Sequence, residues 1–380
     1  MKQIVLVTTS FPDTAFQPGQ EAAGTFVADF AKILAKYRPV RVVAPSQKTS
    51  AEEINNLTIH RFAVPSLPLS LLKPAYPNHW PAIIKTIQAG QRAVETAVTA
   101  TPTAHIFALW ALPSGYWAWR LWRKRGIPYS TWALGSDIWS IGKVSLVKGI
   151  LCRVLVDSYH NFADGYKLAD DVRVLSGRVC NFLSSSRHLS IATPKKLASA
   201  PPYKLAFLGR WHPHKGIDLL LDSLNFLTDE DWQRISEIRI YGGGPLAQLV
   251  KTEGAKLREN GRPITIGRYL DREEATELYH WADYLLIPSR FESIPVIFSD
   301  AMQTNCPVVA MPVGDLPRLL TNNQVGVLAE QVTSAAFATA LQKILCQTPT
   351  KYSLELRKVC QQFNVSSIVS QFLEKLPKEN

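Results

Sequence analysis

Short apolar runs separated by helix-like segments recur through both halves of this chain, and that alternation limits the fold more than any other feature. In the first half Ile4-Val5-Leu6-Val7 reads as a buried strand, Phe26 to Leu34 as a helix, and Val40 to Ala44 as a second strand. Ile106 to Leu109, a helix around Tyr116 to Arg123, and Tyr129 to Trp132 repeat the pattern. Continuous apolar strands alternating with helices indicate a parallel sheet with crossover helices. Between Ser184 and Tyr203 the pattern lapses into Ser-Ser-Ser, Thr193-Pro194, Lys195-Lys196 and Pro201-Pro202. It restarts with Leu205 to Leu208, a helix over Ile217 to Leu227, and strands at Ile238 to Tyr241, Ile264 to Ile266, Tyr284 to Ile287 and Pro307 to Ala310. The predicted fold is α/β, with two doubly wound domains facing each other across a cleft, because such sheets bind ligands beyond the carboxyl ends of their strands. The predicted boundaries are 1–190 for the first domain, 191–203 for a linker, 204–360 for the second domain, and 361–380 for a C-terminal helix able to pack back on the first.

Composition narrows the class. Hydrophobic residues make up 46% and charged residues 19%, which excludes disordered, collagenous and coiled-coil chains. No apolar run approaches the length of a membrane span, and the strand at Ile4 follows the first residues at once, so a cytoplasmic protein is expected. The five cysteines are scattered, with no close pair at metal-ligand spacing, and read as reduced thiols. Residues 1–200 hold 23 Lys plus Arg against 11 Asp plus Glu, a net +12, and the remainder hold 19 against 20. The basic excess lies in the first half, together with seven of the ten tryptophans. Such a pairing marks an anionic partner or an ordinary solvated face.

Three segments of the second half carry candidate chemistry. Gly209-Arg210-Trp211-His212-Pro213-His214-Lys215-Gly216 follows a strand and precedes a helix. Its two cations either converge on an anion at the helix N-terminus, a diphosphate by preference, or are solvated loop charges. Ser289 through Met302 again runs from a strand into a helix, with Pro295 suited to the first turn. Glu292 precedes that helix, and Asp300 lies about 7.5 Å along it from Pro295, so the two carboxylates are no close catalytic dyad. They address different parts of an elongated ligand, or serve as a loop carboxylate and a helix-surface residue. Gly242-Gly243-Gly244-Pro245, also at a strand end, does not match the dinucleotide glycine pattern.

Taken together, Gly209-Arg210 to Lys215-Gly216, Gly242 to Pro245, Gly267 to Leu270 and Pro288 through Met302 resemble the donor domain of the retaining nucleotide-sugar glycosyltransferases of family four. That family has two facing Rossmann-like domains, the fold called GT-B. The first half resembles it more loosely, through Ser10-Phe11-Pro12, Gly24 to Val27, and Gly126-Ile127-Pro128 leading to Gly135-Ser136-Asp137. The resemblance implies transfer of a hexose from a nucleotide-diphosphate sugar, with no cofactor beyond that co-substrate and no metal. Arg210 and Lys215 would neutralise the diphosphate and Glu292 would contact the transferred sugar, which makes these three the catalytic candidates. Gly24, Gly209 and Gly243 would let the backbone approach the donor, and Tyr269 and Leu270 would line the nucleobase. Ser293, Ile294 and Val296 would offer backbone N–H groups, and Asp300 would hold the ribose. Two positions depart from the family: Asp300 stands for a longer glutamate, and Leu134 stands where a His often lies near the reacting sugar. Asp137 takes part of that acceptor-side role or caps its loop.

The first half should choose the acceptor. On a helix Tyr116, Arg120, Arg123 and Lys124 share one side, and Trp117 and Leu121 face the core. A second stretch places Val144, Val147, Leu151, Val154 and Leu155 inward and Lys143, Lys148 and Arg153 outward. With Leu67 to Tyr76 these could rest on an anionic bilayer at the inner face of the membrane, where each nearby cation contributes about 1 kcal/mol. A saccharide or lipid-linked acceptor fits, as in cell-surface polysaccharide or glycolipid synthesis, and no nucleic-acid reading motif is present. The competing functions are a nucleotide-sugar 2-epimerase, which needs an acid and base cluster, and a non-catalytic nucleotide-sugar-binding protein.

Overall fold

The computed structural model describes residues 1–12, 24–140, 145–191 and 195–377. Thr193 and Pro194 of the linker, and Lys143 and Val144 of the amphipathic stretch, lie outside the described residues. The chain divides into two compact units, Met1–Arg187 with Val365–Asn380, and His188–Asn364.

The first unit is built on strands β1 (Gln3–Val7), β2 (Val40–Ser46), β3 (Ser50–Ile54), β4 (Leu57–Ala63), β5 (Thr103–Leu109), β6 (Tyr129–Ala133), β7 (Asn161–Ala163) and β8 (Cys180–Phe182). They lie in the order β3-β4-β2-β1-β5-β6-β7-β8, parallel throughout except for the β3–β4 hairpin. The alternation of side chains along a strand divides its apolar residues between two cores. Ile4 and Leu6 of β1 pack with the helices Thr25–Leu34 and Val365–Glu374, while Val5 and Val7 pack with Trp80–Ala100, Ser114–Arg125, Ser145–Asp157 and Tyr166–Ser176. Trp117 and Leu121 are fully buried, as helical spacing predicts, and so are Leu151, Val154 and Leu155. Arg120, Lys148 and Arg153 are exposed on the same helices.

The C-terminal helix Val365–Glu374 completes the first core. Phe372 is fully buried and stacks on Phe107 of β5 with ring centroids 4.2 Å apart, with Phe30 at 5.6 Å and Phe162 at 6.0 Å. The preceding helix, Ser353–Phe363, belongs to the second unit, and Asn364 separates the two in extended conformation.

The second unit contains β9 (Tyr203–Arg210), β10 (Ile235–Gly243), β11 (Ile264–Gly267), β12 (Tyr284–Ile287), β13 (Val308–Ala310) and β14 (Gly326–Leu328). All its pairings are parallel, in the order β11-β10-β9-β12-β13-β14. From β9 the chain winds outward through β10 to β11, then returns to place β12 on the other side of β9 and winds the opposite way. The β9/β12 boundary is therefore the topological switch point, where the loops diverge and leave a crevice at the carboxyl edge. Among the described residues no helix is long and apolar enough to cross a membrane.

Truncating Phe372 tests how far the first unit depends on the returning helix. Phe372→Ala should destabilise that unit by about 3–5 kcal/mol, the usual cost of removing a buried phenyl ring. Urea unfolding followed by tryptophan fluorescence measures it, since most tryptophans lie in that unit; a loss below about 1 kcal/mol would show that the helix is dispensable.

Candidate anion-binding site

At the switch point the loop after β9 meets the loop after β12. Trp211 to Gly216 leaves β9, and its 3₁₀ turn Pro213–Lys215 ends at Gly216 with φ of 67°. A Cβ on Gly216 would stand 1.9 Å from the Pro288 carbonyl oxygen, so both the left-handed backbone and the closeness of the second loop require glycine. The helix Ile217–Leu224 then starts directly behind the loop.

Charged pairs tie the two loops together. The Lys215 ammonium is ion-paired with the Glu292 carboxylate, to which the Ser289 hydroxyl also points at 3.5 Å. Arg290 donates twice to Asp218, at 2.7 and 2.6 Å, and once to the Pro213 carbonyl at 2.7 Å. Its own main-chain N–H donates to the His214 carbonyl at 2.8 Å. Partial burial works to raise the Asp218 carboxyl, but the Arg290 bonds and charge outweigh it and hold that carboxyl below the usual range. The same bonds raise the Arg290 guanidinium. Neither Arg290 nor Asp218 stood out as a site residue in the sequence; the signal available was an Arg between Ser289 and Glu292 and an acid in the first turn of the facing helix.

Beyond these pairs the helix Val296–Gln303 begins, with Pro295 as its N-cap rather than inside its first turn. Prolines need a fixed φ, and Pro295 at −61° meets it while keeping an extended ψ of 136°. The first-turn N–H groups of Val296 and Ile297 have no carbonyl within the helix to bond. The Ser293 hydroxyl oxygen is buried without a hydrogen-bond partner among the described residues, while its carbonyl accepts from Asp315 at 3.0 Å. Ile294 is half-buried and Val296 exposed.

On the other side of β9, register brings Arg210 opposite Gly243 of β10 and Gly209 opposite Gly242. Arg210 is exposed at the strand end. Gly243 lies against the Tyr269 ring, whose hydroxyl donates to the Gly243 carbonyl at 2.5 Å. Tyr269 remains 54% exposed and Leu270 half-buried. Trp211, unassigned in the sequence, is a buried spacer here: its main-chain N–H donates to the Gly243 carbonyl and its carbonyl accepts from the Leu246 N–H.

Three other sequence-selected residues have close local contacts of their own. Asp300 is fully buried and accepts a hydrogen bond from the Tyr279 hydroxyl at 3.0 Å, so it is not a helix-surface residue. Gly24 caps the helix Thr25–Leu34 in the first unit, and a Cβ there would come within 2.9 Å of the Phe11 backbone, a local reason for glycine. Asp137 is fully buried, with its oxygens accepting from the Ala111 N–H at 2.6 Å and the Leu134 N–H at 3.2 Å. It thus fastens the loops after β5 and β6, as the loop-capping alternative expects. Leu134 packs at the edge of the first core.

Burial pushes the Asp137 carboxyl up to about 6, against the pull of the main-chain N–H groups it accepts from. The folded chain therefore takes up a proton between its unfolded value of 3.8 and about 6. The contribution to stability is full below that window and is lost as pH rises through about 6. In urea titrations the stability of wild type relative to Asp137→Asn should fall by about 1–3 kcal/mol between acid and neutral pH. A difference that stays constant across the window would show that the carboxyl is not raised.

Comparison with known proteins bears on the second unit first. Residues 202–347 match the family described as "Glycosyl transferases group 1". A D-inositol 3-phosphate glycosyltransferase of Corynebacterium efficiens is 32% identical over 154 residues, covering 39% of this chain and 35% of that protein. Its counterpart in Corynebacterium diphtheriae is 30% identical over 161 residues, covering 41% and 37%. The chain thus matches little more than a third of the length of these curated relatives. Over nearly its whole length it resembles solved structures at low identity. Sucrose-phosphate synthase from Thermosynechococcus elongatus gives a TM-score of 0.69 at 18% identity, covering 98% of each chain. Anabaena HepE in complex with UDP gives 0.66 at 16%, covering 99% of each. The likeness to group 1 glycosyl transferases thus lies in residues 202–347, and the two parallel-sheet α/β units have the fold class of the GT-B glycosyltransferases.

Proposed function

We propose that this chain is a retaining glycosyltransferase that moves a hexose from a nucleotide-diphosphate sugar to a saccharide or lipid-linked acceptor. The observation that carries the reading is the corner at the β9/β12 switch point. Arg210 ends β9 and Lys215 stands in the loop that leaves it, and the N–H groups of a helix start and a Ser293 hydroxyl without a hydrogen-bond partner among the described residues lie on the facing loop. Cations and main-chain N–H groups in one place suit a diphosphate. The group 1 match over residues 202–347 supports the same chemistry, as does a UDP-bound neighbour in fold.

In this mechanism the acceptor hydroxyl attacks the anomeric carbon from the face that the diphosphate leaves. The new C–O bond forms as the sugar–phosphate bond breaks, and the hydroxyl proton passes to the departing diphosphate oxygen. Arg210 and Lys215 oppose the charge that grows on that group, and the N–H groups of Val296 and Ile297 add fixed dipoles. Glu292 holds Lys215 in place before the donor arrives and then accepts from a hydroxyl of the transferred sugar. Tyr269 offers its exposed ring to the nucleobase. This role needs no metal, because the two cations and the helix start supply the positive charge. We place the enzyme in the cytoplasm, at the inner face of a membrane, on the strength of its basic first half.

Arg210→Ala and Lys215→Ala should each lower transfer or donor hydrolysis at saturating donor by at least about tenfold, or 1.4 kcal/mol of barrier. Thermal shifts with uridine, guanosine and adenosine diphosphates select the donor nucleotide beforehand. Near-wild-type turnover in both variants would remove the diphosphate from this corner. A 2-epimer formed from the donor without acceptor would replace transfer by epimerisation.

A further inference from the structure

We propose that the first unit carries a two-part site for an anionic bilayer lipid, with an apolar pocket for an acyl chain and, across Tyr116, a cationic pocket for the phosphate. The proposal deepens the membrane side of the proposed function and rests on that side alone, independently of the transfer chemistry.

The apolar pocket, about 360 Å³, lies between the 3₁₀ turn Leu69–Leu71 and the helices Trp80–Ala100, Ser114–Arg125 and Ser145–Asp157. Leu69, Leu72, Ile83, Ile87 and Ile150 line it, with Tyr116 on its wall. The segments that form it also expose Leu71 at 59% and Ile84 at 51%, large apolar side chains left in water. Tyr116 also lines a second cavity of about 500 Å³, formed with Trp119, Arg120, Arg123, Lys124 and Glu95. There Arg120 lies 5.9 Å over the Tyr116 ring and Arg123 5.1 Å over the Trp119 ring. Glu95 is answered by Lys124 at 3.4 Å, and among the described residues no carboxylate pairs with Arg120 or Arg123. Aromatic faces thus position two guanidinium groups without neutralising them.

Charge decides the occupant. Residues 54–157 hold eleven Lys and Arg against three acids: Glu95, the fully buried Asp137, and Asp157, which accepts from the Trp119 indole at 2.8 Å. A protein partner would have to match both an apolar pocket and this excess. The interface of an anionic bilayer offers chains and phosphates side by side. Arg123, Lys124 and Arg125 also occupy the last turn of their helix, where cations are favourable, but that accounts for neither Arg120 nor the apolar pocket.

The test is cosedimentation of the full chain with phosphatidylcholine vesicles, with and without phosphatidylglycerol, at low and raised salt. Wild type should bind the anionic vesicles at least about tenfold more tightly at low salt, and salt should reduce the difference. The pair Leu71→Asp with Ile84→Asp should weaken that binding at least about tenfold, since it sets charge on the apolar rim. Arg120→Ala with Arg123→Ala should remove most of the preference for anionic lipid. Monomeric short-chain phosphatidylglycerol should raise the melting temperature of wild type, whereas glycerophosphate should not. Equal binding to both vesicles, no vesicle binding at low salt, unchanged binding by the Leu71/Ile84 pair, or an equal shift with glycerophosphate would each overturn the proposal. All four substitutions lie outside the donor corner, so donor hydrolysis should persist in them. A wild type that binds vesicles but never cleaves a nucleotide sugar would sink the transferase reading and leave the lipid site standing.

Discussion

A doubly wound sheet leaves one gap that its own connections cannot fill, at the strand pair where the winding reverses. In the second unit that pair is β9 and β12, and every feature of the candidate site follows from it. The chain departs from β9 toward one face and from β12 toward another, so main-chain N–H groups and side chains of both loops are left around the opening. Parallel strands, unlike hairpins, put all their carboxyl ends on the same edge, which is why β10 and the Tyr269 loop contribute there as well.

Divergent loops need to be fastened if they are to present a fixed geometry. Gly216 permits the close approach to Pro288, and Arg290 reaches back to Asp218 and Pro213. Lys215 and Glu292 close the same gap with a second ion pair. Arg290 and Asp218 are each about a third exposed, so the pair adds little to overall stability. Its value lies in geometry, because a planar guanidinium holding a carboxylate by two bonds fixes direction as well as distance. Glu292 is ion-paired with the Lys215 ammonium, and on the proposed function a diphosphate would offer that ammonium a second anion. On the proposed function, loops fastened in this way would hold the corner's dipoles and charges in fixed directions, which is what makes electrostatic stabilisation effective.

What could be read from the sequence follows the physics of burial. The strands at Ile4, Val40, Ile106, Leu205 and Tyr284 are apolar on both faces because helices cover both faces, and their signal is strong. The hairpin of β3 and β4 was invisible because β3, with the sequence SAEEI, is exposed along its whole length and carries no apolar run. Its turn was marked only by Asn55 and Asn56, residues that also suit an ordinary loop. The three-residue strands β7 and β8 were too short to show a period. Lys215, Glu292 and the start of the helix at Val296 stood out because cations, acids and strand-to-helix junctions occur together there. Arg290 and Asp218 did not, since their pairing joins residues 72 positions apart. Burial at Asp137 and Asp300 was equally hidden in the sequence. An acid in a promising loop or helix reads as functional from sequence, whereas burial gives these two to main-chain N–H groups and to Tyr279.

The central claim, that the β9/β12 corner holds a diphosphate, is tested most directly by hydrogen exchange on the full chain with and without a saturating nucleoside diphosphate. The account predicts slowed exchange in two separate segments, residues 211–217 and 289–298, because ligand oxygens would bond N–H groups of both loops. The apolar pocket segments around Leu69 and Ile87 should exchange unchanged. Protection confined to the first unit, or a nucleotide that binds without slowing either loop, would contradict it.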